Sequence, residues 1–158
     1  MESHIALALF VFAGLATPGP NVIMLLSSGV RFGFAATLPH VLGVATGVGI
    51  IAALAGSGVA AVLLGIPALK LAFKLLAAAW ILYLAFKLLR SAKAPKDRST
   101  GKPFTFVQAV LFQWVNPKVW AVALAAAAGY GSGMAISTEA LRLALAFSGL
   151  NLFVCLFY

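Results

Sequence analysis

Thr17-Pro18-Gly19-Pro20-Asn21 and, in the second half of the chain, Asn116-Pro117-Lys118 decide how this sequence folds. Both interrupt long apolar segments. In hydrocarbon an unpaired backbone group is costly, so such breaks persist where protein packing or a wet cavity can satisfy them. Pro18 and Pro20 have no amide hydrogen and leave the carbonyls of Gly14 and Ala16 without helical donors, while Gly19 supplies a joint. A helix restarting at Pro20, a favoured first position, turns the free amides of its first turn toward the break and suits an anion there. The second motif repeats the plan: Asn116 is a good N-cap, Pro117 a good first residue that frees the carbonyl of Gln113, and Lys118 adds a full positive charge. A carboxylate is expected at the helix ends or Lys118. An ammonium group is expected at the freed carbonyls and at Asn21, Asn116 or Gln113. Such a set fits a zwitterionic amino acid. The competing reading is a pair of ordinary proline kinks with Lys118 reaching to the interface. Recurrence of the break, each time beside an asparagine, favours a site.

Outward from these breaks, the whole chain is apolar. Its 158 residues are 63% hydrophobic and 9% charged, with a mean hydropathy of +1.09, which fits an all-α integral membrane protein and excludes a water-soluble domain. The net charge of +8 sits between and at the ends of apolar segments, so anionic lipid headgroups, and not nucleic acid, are its expected partner. The single cysteine, Cys155, excludes an internal disulfide, and no His/Cys cluster has metal-ligand spacing; no cofactor is expected. Gly14 and Ala16 imitate a signal-peptide cleavage site, but the leader carries Glu2 and His4 and no Lys or Arg, so the segment is read as a retained helix.

A spanning helix needs about 20 apolar residues. Four segments qualify, His4 to Ser28, Leu38 to Leu64, Leu69 to Leu89 and Phe104 to Ala128, and a fifth begins near Ala140 and runs to Tyr158. Turns are expected at Gly29 to Gly33 and at Gly65-Ile66-Pro67. The hydrophilic stretch 91–102 carries Lys93, Lys96, Arg98 and Lys102, which places it on the cytoplasmic side and the N-terminus outside. Arg31 and Arg90 join it there, against Lys70, Lys74 and Arg142 on the other face. The matching breaks suggest an inverted three-plus-three helix repeat in one membrane domain, 1–158. Residues 1–90 form the first repeat, 91–102 the basic loop and 103–158 an incomplete second repeat, with the substrate held between repeats. About five helices are then present, and the chain reads as ending early.

Other residues read more plainly. Gly43 and Gly47 form a Gly-x-x-x-Gly pattern for close helix packing. His40, beside Pro39, could titrate near neutral pH. Glu2, Asp97 and Glu139 lie at ends or in loops, so no carboxylate is left inside a helix to carry a coupling ion.

Taken together, the ordered set resembles the lysine exporter (LysE/RhtB-type) family of small bacterial amino-acid exporters. The residues that carry the resemblance are Thr17 to Asn21, Gly29, Gly33, Gly43, Gly47, the run from Lys74 to Arg90 and Asn116 to Lys118. It implies a six-helix carrier in the cytoplasmic membrane that exports amino acids or related metabolites on the proton gradient. Ala77 and Ala85 replace glycines usual in that family, and Val48 and Asn151 stand where many relatives carry an acid. The expected partners are therefore a small-molecule substrate, the bilayer and a second copy of the chain. The alternative is a truncated, non-transporting membrane fragment or membrane-embedded interaction partner. A carrier of metal ions or reducing equivalents lacks its cysteine pairs or acid and histidine clusters. An enzyme lacks a nucleophile, base and orienting group at workable spacing.

Overall fold

The computed structural model describes residues 2–58 and 102–158, together with Val62, residues 65–68, Leu71, Ala72, Leu75, Ala78, Ala79, Leu82 and Phe86. Among the described residues there is no strand. Six helices stand out: α1 (Glu2–Ala16), α2 (Pro20–Phe32), α3 (Phe34–Gly56), α4 (Phe106–Trp114), α5 (Pro117–Gly129) and α6 (Ile136–Phe157). The third predicted segment and the basic loop fall largely outside the described residues, as do Lys70, Lys74 and Arg90, although Ile66 is a bend where the second turn was expected.

Helices α3 and α6 are long and apolar enough to cross a bilayer unaided. The pairs α1–α2 and α4–α5 pass only as broken spans, bent by 60° and 64°. At 1.5 Å per residue, α3 is about 34 Å long, close to the hydrocarbon thickness of a membrane. It is also the centre of the bundle, with α6, α4, α5 and α2 all packed on it, while α1 lies along α6 and α5. Val44, Val48, Ile51, Val119, Leu143 and Phe147 form the middle of the core. Large apolar side chains such as Ile5, Leu9, Leu141, Leu145 and Phe153 are exposed. In a soluble protein that much exposed apolar surface would demand a partner; here lipid supplies it. The chain is an all-α, multi-pass membrane protein.

Small residues set the helix spacing. A Cβ on Gly43 would lie 2.7 Å from Ala109 Cβ, and one on Gly47 would lie 2.6 Å from Gln113 Cγ, so α3 meets α4 through bare backbone. On the roughly opposite side, Gly49 faces Ser148 and Ala144, and Gly56 faces Ala140. Ser148 Oγ donates to the Ala45 carbonyl at 3.1 Å across that seam. The pairings show α3 running parallel to α4 and antiparallel to α6. Gly14 against Val122 and Phe10 against Tyr130 show α1 antiparallel to α5.

Several boundaries differ from the sequence expectation. The first turn is not Gly29 to Gly33: α2 continues to Phe32 and only Gly33 interrupts it, at φ +82° and ψ 169°. That backbone region is essentially restricted to glycine, so one residue makes the corner. Thr37 Oγ1 donates to the Gly33 carbonyl at 2.9 Å, and Ser28, its own hydroxyl 3.0 Å from Thr37 Oγ1, is left to donate to it. Helix α3 starts four residues before Leu38 and keeps Pro39 inside, giving up the one backbone bond that a proline cannot donate. It ends at Gly56, well short of Leu64. Helix α6 begins at Ile136 instead of Ala140, taking Glu139 into its first turn. There Glu139 pairs with Arg142 at 2.6 Å and accepts from Ser132 Oγ, and Arg142 also donates to the Tyr130 carbonyl. An acid at a helix start is favoured by the dipole, and its two donors make burial tolerable.

Candidate functional site

The first break is built by residues 17–19. Gly19 is extended (φ −158°, ψ −172°) and precedes Pro20 as the first residue of α2, so the helix opens and restarts there. Thr17 turns its hydroxyl back onto the Ala13 carbonyl at 2.7 Å. Two carbonyls stripped of helical donors are served from other helices. Tyr158 Oη donates to the Ala16 carbonyl at 2.8 Å, and Lys118 Nζ donates to the Thr17 carbonyl.

The second break is built differently. Asn116 caps α5, its Oδ1 accepting from the Lys118 amide at 3.2 Å, and Pro117 takes the first position. The Gln113 carbonyl, expected to be free, is not: a tight turn brings the Asn116 amide to it at 3.2 Å. The Trp114 carbonyl is met by Trp120 Nε1 at 2.9 Å. This break therefore satisfies its carbonyls internally and presents donors, whereas the first presents acceptors served from outside.

The two breaks are adjacent in space. Asn21 Nδ2 donates to Gln113 Oε1 at 2.9 Å, and Gln113 Nε2 returns a bond to Asn21 Oδ1 at 3.2 Å while also reaching the Ala109 carbonyl at 3.0 Å. Gln113 is fully buried, and these bonds make its burial tolerable. A Cβ on Gly19 would stand 3.1 Å from Lys118 Cδ and 3.3 Å from its Nζ, so the absence of a side chain leaves Lys118 room to cross. Asn116 is 1% exposed, and its Nδ2 is a buried donor with no partner. Such orphans are rare and call for an explanation.

Gly19, Pro20, Asn21, Asn116 and Lys118 line one cavity, joined by Asn151 and Cys155 from α6. Pro18 and Pro117 are not among its lining residues; they belong to the helix breaks. Gln113 stands behind Asn21. Gly43 and Gly47 lie along the α3–α4 seam, and His40 is elsewhere too, buried and stacked on Phe104 with ring centroids 5.1 Å apart. Neither of its ring nitrogens has a partner. The polar lining residues that sequence reasoning did not assign to the cavity are Asn151 and Cys155, whose Sγ donates to Asn151 Oδ1 at 3.2 Å; it also missed the carbonyl of Thr17, which Lys118 meets. The available signal for Asn151 was its standing where many members of the resembled family carry an acid. Backbone acceptors carry no sequence signal beyond the prolines that strand them.

The cavity has about 20 Å³ of room, enough for roughly one water molecule and far below the ~300 Å³ of an ordinary ligand pocket.

Paired broken helices around a polar cavity in an apolar bundle are a recurrent plan of membrane transporters. The model of the family described as LysE type translocator matches residues 12–158, and the chain belongs to that family. Membership makes it a translocator of small molecules. No curated protein and no solved structure matches the chain.

Proposed function

We propose that this chain is a secondary transporter that exports amino acids or related small metabolites across the cytoplasmic membrane of a bacterium. The observation that carries this reading is the meeting of the two breaks. One offers backbone acceptors that lack helical donors and are met only by side chains from elsewhere in the chain, the other an ammonium group and an unpartnered buried amide donor. A zwitterion is the small molecule whose two ends answer both. The antiparallel course of α1 and α5 supports two inverted repeats with the site between them, because an odd number of helices per repeat reverses the second. The basic stretch 91–102 supports a cytoplasmic loop held near anionic headgroups.

The test is efflux of preloaded amino acids from cells expressing the chain or its variants. Asn116→Ala and Lys118→Ala are expected to abolish export while the protein remains in the membrane. Loss of the cap costs about 1 kcal/mol, too little by itself to unfold a bundle. Wild-type efflux from both variants would show the two residues to be structural.

A further inference from the structure

The extended Gly19 carries Asn21 out of helical register with Thr17, leaving the Thr17 carbonyl stripped of its helical donor. What fills that place is a primary ammonium on an unbranched stem, the side chain of Lys118. The structure thus shows that this carbonyl accepts an alkylammonium, and that the occupant belongs to the protein. At the helix start that carries Lys118, the buried Nδ2 of the cap residue Asn116 has nothing to donate to. One half of the site is filled by the chain itself, and the other half is idle.

We propose that Lys118 is a tethered ammonium that keeps the amine position of the site occupied until a substrate carboxylate draws it away. The inference rests on the amino-acid reading above. A carboxylate entering the cavity accepts from Asn116 Nδ2 and from Lys118 Nζ, the stronger of the two because it is charged. Lys118 then leaves the Thr17 carbonyl, which takes the substrate's own ammonium group. Each ligand lacking one end fails for a definite reason. An amine without a carboxylate must compete with an ammonium held at high effective concentration by its tether, and meets a like charge there. A carboxylate without an amine pulls Lys118 off and leaves the Thr17 carbonyl bare. The zwitterion alone satisfies every group. Lys118 is on this account the residue that sets specificity, by excluding simple amines as much as by attracting acids.

Equilibrium binding to the purified chain in lipid nanodiscs decides it. The probes are leucine, threonine and lysine with their decarboxylated counterparts isopentylamine, 1-amino-2-propanol and cadaverine. In the unaltered chain an amino acid is expected to bind at least tenfold more tightly than its amine, the scale of one charge-assisted hydrogen bond. In Lys118→Met, which keeps the stem and removes the ammonium, amine binding rises at least tenfold and the preference for the amino acid disappears. Gly19→Ala is the second variant: it leaves the charge but crowds Nζ, and amine binding rises there too. It carries the test if the Met variant does not fold. Loss of amino-acid binding in Lys118→Met with no gain for the amine in either variant would overturn the tether while leaving the amino-acid reading intact. If none of the three amino acids binds the unaltered chain, both fall together.

Discussion

At the scale of single residues, Asn116 does two separable jobs with one amide. Its oxygen holds the start of α5 by accepting from the Lys118 amide; its nitrogen is buried and idle. Asn116→Asp separates them. The carboxylate keeps the capping acceptor and adds a negative charge at a helix N-terminus, which the dipole favours. Thermal unfolding in detergent should therefore stay close to that of the unaltered chain. The donor, however, becomes an anion beside Lys118, repelling a substrate carboxylate and holding Lys118 for itself. Efflux of preloaded amino acids should fall at least tenfold. Unchanged efflux would remove Asn116 Nδ2 from the site. The capping role was readable from Asn-Pro-Lys alone, since asparagine before a proline is a familiar helix start. The idle nitrogen was not, because whether a buried amide finds a partner depends on what packs over it.

At the scale of helices, the breaks were legible and their chemistry was only half so. Proline fixes where an apolar helix must open, and both helices restart where the sequence places them, at Pro20 and Pro117. Symmetric motifs did not produce symmetric breaks. The turn after Trp114 returns the Asn116 amide to the Gln113 carbonyl, whereas two successive prolines around an extended glycine leave nothing local to do the same for Ala16 and Thr17. The start of α4, two residues after the Phe104 expected, is fixed by a reciprocal capping box of Thr105 and Gln108 at 3.2 and 3.0 Å. The Gly29 to Gly33 turn was misjudged because two glycines four residues apart look alike in sequence, though of the two only Gly33 adopts positive φ. The glycine contacts yield a paired prediction. Gly43→Ala puts a methyl group 2.7 Å from Ala109 Cβ and should destabilise the bundle by about 1–3 kcal/mol through overpacking. Gly29→Ala meets nothing within 4 Å and should stabilise α2 by about 0.5–1 kcal/mol, since glycine loses more freedom in a helix than alanine does. Unfolding of both variants in nanodiscs checks the pair. Equal effects would mean that α3 and α4 do not touch through backbone.

At the scale of the whole molecule, the composition made membrane residence legible, and the broken spans located the cavity. Orientation rests on charge. With Cys155 replaced by serine, a cysteine at Ser99 should resist an impermeant thiol reagent applied to intact cells and react once the membrane is opened, because the Lys and Arg around it mark the cytoplasmic face. Ready labelling from outside would invert the topology. The reciprocal amide pair of Asn21 and Gln113 bears on speed. A carrier must pass through a closed state on its way back from each delivery, and any polar group stranded there raises the barrier to that return. These two side chains satisfy one another in the structure, so of the three amides at the breaks Asn116 alone keeps an unpartnered donor. If the site works as proposed, the unloaded protein resets readily, and that ease of empty return is what distinguishes net efflux from one-for-one exchange.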